Sequence, residues 1–106
     1  MFARKVLMQL KPKSTAELTE RLEKEVIPML RKQKGFLDEI TFVNVEGTHG
    51  FAISLWDNAE NAEAYNRGTY AEVHKIISRF IEGTPKVENY QVLNSTFHKI
   101  AASVAA

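Results

Sequence analysis

The sequence predicts an α+β fold, in which a four-stranded antiparallel sheet has helices packed on one of its faces. Hydrophobic periodicity along the 106 residues follows the order strand, helix, strand, strand, helix pair, strand. The two outer connections are long enough to contain helices, and the middle two strands are joined by a short glycine-flanked loop at residues 46–50. This order is the split βαβ arrangement, βαββαβ, of ferredoxin-like domains.

The first strand and the first helix are predicted from the spacing of apolar residues, which changes from two residues to three and four. Residues 2–10 place apolar side chains on both strand faces, with Arg4 interrupting the pattern near the start. Ser14 and the glutamate three residues later have the spacing of a capping box. Pro28 should bend or open the helix because it cannot donate a backbone hydrogen bond, and Gly35 should end it. The buried face of this helix is predicted to consist of Leu18, Leu22, Val26, Met29 and Leu30.

Two strands are predicted on either side of the glycine-flanked loop, at residues 36–45 and 51–56. In the first of them, Phe36 is predicted to share a face with Ile40 and Phe42. In the second, large apolar side chains alternate with small ones until the strand reaches Trp56, the only tryptophan of the chain. One face of this strand is therefore large and apolar, and the other is small except at its end.

A pair of helical segments and a fourth strand complete the predicted fold. Asp57 or Asn58 is placed to cap the first segment, and Gly68 breaks the pattern before a second segment at residues 70–81. The glycine–threonine–proline sequence that follows should end the helix, and residues 86–95 are predicted to form the last strand. The apolar stripe of the second segment is predicted to consist of Tyr70, Val73, His74, Ile77, Phe80 and Ile81.

Length and composition fit one domain, predicted at residues 1–95. A tail follows at residues 96–106, for which a short helix and an arm that packs on a partner subunit are the two alternatives. Fourteen lysines and arginines balance thirteen aspartates and glutamates, which argues against nucleic acid or an anionic membrane as partner. The absence of cysteine excludes disulfides and thiolate catalysis. No signal-peptide core and no apolar run of membrane-spanning length is present, so a cytoplasmic location is expected.

Apolar residues on both faces of the strands predict an association surface. Helices cover only one face of such a sheet, so the other face would be exposed and apolar in a monomer. A twofold homodimer whose sheets pack face to face would bury it, because a self-complementary surface gives closed association.

Three stretches carry a resemblance to a known family. They are SLWDNAENAEAY at residues 54–65, VIPMLRKQKGF at residues 26–36, and the Tyr-x-x-x-His spacing of Tyr70 and His74. Residues 2–95 thereby resemble the antibiotic biosynthesis monooxygenase domain of the dimeric α+β barrel superfamily. The resemblance implies a small-molecule pocket between sheet and helices. Some members of the family oxidise polycyclic aromatic substrates with dioxygen and no bound metal or flavin, and others bind and degrade heme.

The resemblance also suggests roles for individual residues. His74 matches the iron-ligating histidine of the heme-degrading members. It is either such a ligand, an acid or base in the pocket, or a histidine whose polar groups are satisfied at the margin of the core. Those members also have an asparagine on the first strand, where this chain has Val6 or Leu7, and a helix tryptophan, where it has Tyr65. These two departures argue against heme degradation.

The predicted function is that of a monooxygenase acting on a small aromatic or quinone-like compound without a tightly bound cofactor. His74 and Tyr65 are the predicted catalytic residues, and Trp56 and Tyr70 are predicted to bind substrate. Trp56 is alternatively a large residue that seals the sheet against the helix, and each of the two tyrosines alternatively packs at the margin of the core. No metal is predicted, unless His74 ligates heme. The alternative function is a non-catalytic stress-response protein of the same dimeric fold that binds a small molecule or heme. Further polar candidates are Asn44, Asn66 and Asn89.

Overall fold

The structure of the chain is a computed structural model that describes residues 1–100. Its elements in chain order are β1 (Phe2–Leu10), α1 (Thr15–Arg21), a π-helical turn (Leu22–Val26), α2 (Ile27–Arg31), β2 (Phe36–Val43), β3 (His49–Trp56), α3 (Ala59–Arg67), α4 (Tyr70–Ile77), a 3-10 turn (Ser78–Phe80) and β4 (Ile81–Gln91). Within this described part, none of the helices has the length and apolar character that crossing a membrane requires.

The four strands form one antiparallel sheet in the order β2-β3-β1-β4. Strand β1 lies at the centre between β3 and β4, and the hairpin partners β2 and β3 are neighbours. Helix α2 packs on β2, and α3 packs on β1 and β3. The predicted ferredoxin-like α+β fold is therefore confirmed.

The core lies between the helices and one face of the sheet, called here the inner face. Alternation along β1 places Val6, Met8 and Leu10 on this face, each less than 10% exposed. Trp56, at the end of β3, is the largest fully buried side chain of residues 1–100. Burial of each such side chain stabilises the fold by about 1.5–3 kcal/mol. The helices contribute Leu18, Val26, Leu30, Ala62, Tyr65, Val73, Ile77 and Phe80 to the same core.

The first helical connection opens just before its proline, as predicted. In the π-helical turn the Ile27 N–H bonds to the carbonyl of Leu22, five residues back. Pro28 follows directly and has no N–H to donate. The wider turn thus lies where the regular ladder of hydrogen bonds would have been interrupted.

Of the two predicted helix caps, one differs in the structure and the other is confirmed. The Ser14 side chain does not cap α1; instead its hydroxyl donates to the carbonyls of Lys11 at 2.6 Å and Phe80 at 3.2 Å. The predicted capping box is therefore wrong, because a buried serine is used to hold the start of α1 against the end of the second helical pair. At α3 the cap is Asn58, whose side-chain oxygen accepts from the Asn61 N–H at 2.9 Å.

In strand β2 the side chains are distributed over the two faces differently from the prediction. Its pairing with β3 shifts register directly after Phe36. Phe36 consequently lies on the inner face, with its ring centre 5.6 Å from that of Trp56, whereas Ile40 and Phe42 are exposed. The prediction that Phe36, Ile40 and Phe42 share one face is therefore wrong. The strand also ends at Val43 rather than at residue 45.

Strand β4 is displaced toward the N-terminus from its predicted position of 86–95. It spans Ile81–Gln91, because α4 already ends at Ile77. Gly83, with φ of 68°, and a register shift against β1 accommodate the glycine–threonine–proline sequence inside this edge strand. Residues 92–100 continue without regular structure, and the His98 ring contacts the Asp38 carboxylate. The rest of the predicted tail, residues 101–106, lies outside the described residues.

The face of the sheet opposite the helices, called here the outer face, carries exposed apolar side chains. Ile40 is 52% exposed, Phe42 43% and Tyr90 49%. Residues 92–97 of the chain lie beside part of this face. The predicted apolar second face is thus present in this protein.

Candidate active site

Two adjoining cavities lie between the first helical connection and the inner face of the sheet. The larger has a volume of about 190 Å³ and lies between α1, the π-helical turn and strands β1 to β3. The smaller, of about 50 Å³, lies beneath α3 and α4 and is called here the deep cavity. Met8, Leu22 and Glu39 line both spaces, so the two cavities adjoin.

Glu39 is the carboxyl group common to both cavities. The register of β2 places it opposite Ser54 of β3, on the inner face. Its Oε2 accepts a hydrogen bond from Thr41 Oγ1 at 2.5 Å. Burial raises the pKa of the Glu39 carboxyl group, an effect that the Thr41 hydrogen bond partly opposes. A carboxylate whose pKa is raised is a stronger base and a more suitable acceptor for a ligand proton.

Two tyrosines form the helical wall of the deep cavity. The break at Gly68 between α3 and α4 lets Tyr65 and Tyr70 approach the same space, with ring centres 6.0 Å apart. Tyr65 is only 4% exposed. Burial raises the pKa of its hydroxyl to about 12. Tyr65 is therefore a protonated hydrogen-bond donor at neutral pH.

A buried arginine lies beside these rings. Arg4 of β1 is 3% exposed, and its Cζ lies 4.1 Å from the ring centre of Tyr70 and 5.3 Å from that of Tyr65. Its Nη2 donates to Asn66 Oδ1 at 2.8 Å. This positive charge at the end of the deep cavity favours a ligand that carries, or develops, negative charge.

The structure separates the four predicted site residues into two groups. Tyr65 and Tyr70 line the deep cavity. Trp56 and His74 are not among the residues that line either cavity. Trp56 is 0% exposed and stands behind Tyr65, with ring centres 5.1 Å apart, and its Nε1 donates to Ser54 Oγ at 2.9 Å. His74 lies one turn beyond Tyr70, with ring centres 6.2 Å apart. The catalytic and binding roles of all four residues stay predictions.

Sequence reasoning missed Arg4 and Glu39 as site residues. The signal for Arg4 was available, because a charge stands at an inward position of a strand whose other inward residues are apolar. The position of Glu39 depends on the register shift after Phe36, which alternation along β2 does not reveal. Among residues 1–100, histidine, aspartate and glutamate side chains form no group of three that could hold a metal ion.

Comparison with known proteins finds similarity in solved structures. No protein-family model matches the sequence, and no curated protein matches it. A protein from Bordetella bronchiseptica described as an antibiotic biosynthesis monooxygenase is 12% identical, with a TM-score of 0.73 over 86% of this chain and 95% of that one. A monooxygenase of Streptomyces coelicolor in complex with nanaomycin D is 21% identical, with a TM-score of 0.72 over 92% of each chain.

A third similar structure is that of MhuD with two manganese protoporphyrin IX molecules per active site. It is 17% identical, with a TM-score of 0.73 over 91% of this chain and 98% of that one. At these identities the likeness concerns the fold. The chain has the α+β fold of the antibiotic biosynthesis monooxygenase structures, as the sequence resemblance implied.

Proposed function

We propose that the chain is a monooxygenase that oxidises a small hydroxylated aromatic compound with dioxygen. The observation that carries the proposal is the presence of a partly buried carboxyl group and two tyrosines on the walls of one apolar space. These residues are Glu39, Tyr65 and Tyr70. The likeness in fold to a monooxygenase that binds nanaomycin D supports the same conclusion.

The cavity volumes favour a ligand of one or two rings. An apolar protein cavity of about 150 Å³ is large enough to bind benzene. The larger cavity has about 190 Å³, and the deep cavity adds about 50 Å³. Met8 and Leu22 line both and offer apolar surface to a flat ring. Binding would therefore depend mainly on burial of the rings, with a few polar groups fixing their orientation.

The polar groups divide the proposed chemistry between them. Glu39 accepts the proton of the phenolic hydroxyl, and Tyr65 and Tyr70 donate hydrogen bonds to the phenolate that results. The charge of Arg4, next to both tyrosine rings, stabilises this anion. The protein thus prepares an electron-rich ring in a fixed position.

The phenolate itself supplies the electrons that reduce dioxygen. One oxygen atom forms a bond to a ring carbon, whose C–H bond breaks, and the O–O bond breaks. The second oxygen atom leaves as water with the ring hydrogen and the phenolic hydrogen, so a phenol becomes a quinone. This balance requires no further reductant, and the proposed reaction uses no tightly bound cofactor.

Oxygen uptake and quinone absorbance, measured with a panel of naphthols and hydroquinones, test this proposal. Glu39→Gln should lower the rate by about 100-fold or more, because positioned general bases contribute 10²–10⁴-fold, and Tyr65→Phe should lower it less. Glu72→Gln, on the exposed surface of α4, is the matched control. Equal rates in Glu39→Gln and wild type, or no uptake above the uncatalysed rate with any compound, would contradict the proposal.

The residues around the cavities do not fit a heme. His74, which would ligate the iron if heme were bound, lines neither cavity, and the volumes of the cavities match smaller aromatic compounds. No step of the proposed reaction therefore involves heme. Titration with hemin separates the two functions: a Soret band that shifts in the wild type and is lost in His74→Ala would favour the heme-binding alternative.

We also propose that two chains associate through their outer faces. Ile40, Phe42 and Tyr90 would then leave water, and burial of apolar surface stabilises association by roughly 25 cal/mol per Å². The outer face is part of the same sheet that carries the cavities, so association would hold strand β2 and Glu39 in position. Packing of the tail at residues 96–106 on the partner stays a prediction.

A further inference from the structure

A third cavity lies on the other side of Arg4, between β1, β4 and α3. Its volume is about 330 Å³, and it is called here the polar cavity. Arg4, Asn66 and Asn89 supply polar groups, and Phe2 and Val87 supply apolar surface. The pairing of β1 with β4 places Asn89 directly opposite Arg4, while α3 brings Asn66 from above.

Arg4 is a buried charge without a carboxylate partner among residues 1–100. The side chain is 3% exposed, and no aspartate or glutamate oxygen of the described residues lies within 4.0 Å of its nitrogens. Buried charges in folded proteins are normally paired, because removal of an ion from water is costly. The protein therefore holds a cation in a position that an external anion would neutralise.

The guanidinium group of Arg4 donates a hydrogen bond to a residue of the polar cavity. Its Cζ lies over the Tyr70 ring, at 4.1 Å from the ring centre. Its Nη2 donates to Asn66 Oδ1, and Asn66 lines the polar cavity but not the deep cavity. One of the five N–H groups is used in this bond, and the planar fork of the others suits a carboxylate. Because its oxygen is the acceptor, the Asn66 amide nitrogen is left to donate as well.

The acidic residue at the rim of this cavity belongs to the surface. The Glu63 side chain is 58% exposed, and its Oε1 lies 3.8 Å from Arg67 Nε at the end of α3. It is thus attracted outward by a surface cation rather than paired with Arg4. Its charge lowers the affinity of the cavity for anions without occupying the fork.

We propose that the polar cavity binds the carboxylate of an aryl carboxylic acid through Arg4, Asn66 and Asn89. The guanidinium fork and the two side-chain amides receive the carboxylate, and the apolar surface of Phe2 and Val87 receives the adjoining ring. Because the polar cavity lies on the other side of Arg4 from the deep cavity, this site is separate from the one proposed for oxidation, and the inference goes beyond the proposed function. The binding of the acid itself is independent of any turnover.

Calorimetric titration with salicylate, phenol and acetate tests the inference directly. Salicylate should bind at least about 10-fold more tightly than either phenol, which lacks the carboxylate, or acetate, which lacks the ring. Acetate binding as tight as salicylate binding would show a site for free small carboxylates and overturn the aryl part of the proposal. Phenol binding that is as tight as salicylate binding and is weakened as much by Arg4→Met would overturn the carboxylate site.

Single substitutions test which residues bind salicylate. Arg4→Met should weaken salicylate binding by about 30-fold or more, since loss of one partner of a buried charge pair costs at least about a factor of this size. Asn89→Ala should weaken it less, and Glu63→Gln should strengthen it. Lys75→Met, which removes an exposed cation from α4, should change it little. Unchanged binding in Arg4→Met, or in Asn89→Ala if Arg4→Met does not fold, would overturn the assignment.

The two proposals fail in different ways. Oxygen uptake without carboxylate-dependent binding would contradict the proposed carboxylate site in the polar cavity and leave the monooxygenase proposal standing. Salicylate binding that depends on Arg4, without oxygen uptake on any phenol, would contradict the monooxygenase proposal and leave the carboxylate site standing.

Discussion

Replacement of Ser54 by alanine should destabilise the protein through Trp56. The Ser54 hydroxyl oxygen accepts the indole N–H at 2.9 Å, and the two residues are 7% and 0% exposed. Loss of the acceptor leaves a buried N–H without its partner, which costs about 1–3 kcal/mol. For a domain of this size, a central value of about 2 kcal/mol lowers Tm by about 10 °C.

Thermal unfolding followed by circular dichroism measures this effect, and a double-mutant cycle assigns it. In a Trp56→Phe background no indole N–H remains, so Ser54→Ala should then cost far less. The chain has a single tryptophan, which provides a second test. Its fluorescence should be insensitive to acrylamide, because the side chain is fully buried.

Two results would refute this view of Trp56. An equal loss of stability in both backgrounds would show that the Ser54–Trp56 hydrogen bond is not the cause. Strong quenching by acrylamide would show that the indole lies at an accessible wall, as a substrate-binding residue would.

The remaining predictions concern Glu39 and the outer face. Burial raises the pKa of Glu39, so the ionised form of this side chain is disfavoured in the folded state. Glu39→Gln should therefore raise Tm at neutral pH, where the carboxylate is ionised in the unfolded chain. The substitution should give no gain in Tm near pH 3.5, roughly a unit below the ordinary pKa of glutamate. A gain that persists at that pH would mean that charge is not the cause. Light scattering should give twice the 12.0 kDa chain mass for the wild type and a monomer for Ile40→Asp, because a carboxylate would be buried at the interface; a monomeric wild type would contradict the dimer.

Much of the fold follows from short-range patterns. The helical periodicity that placed Leu18, Val26 and Leu30 on one face depends only on local spacing, and the structure buries all three. The alternation that ends at Trp56 identifies β3 in the same way. Strand order follows because each crossover must contain a helix and the middle pair is a hairpin.

The parts that failed depend on long-range pairing. The register shift after Phe36 and the bulge around Gly83 are set by how β2 and β4 meet their neighbours, and one strand alone does not encode them. The position of Glu39 follows from the first of these. Arg4 was visible in the sequence as an interruption, but its role required the placement of Tyr70 against it.

Labelling with ¹⁸O₂ tests the monooxygenase proposal most directly. The purified protein would be incubated with the naphthol that gives the fastest oxygen uptake, and the quinone product would be analysed by mass spectrometry. The proposed reaction predicts one labelled oxygen atom in each quinone formed, with formation strongly reduced in Glu39→Gln. Quinone without label, or labelled quinone formed equally without the protein, would contradict it.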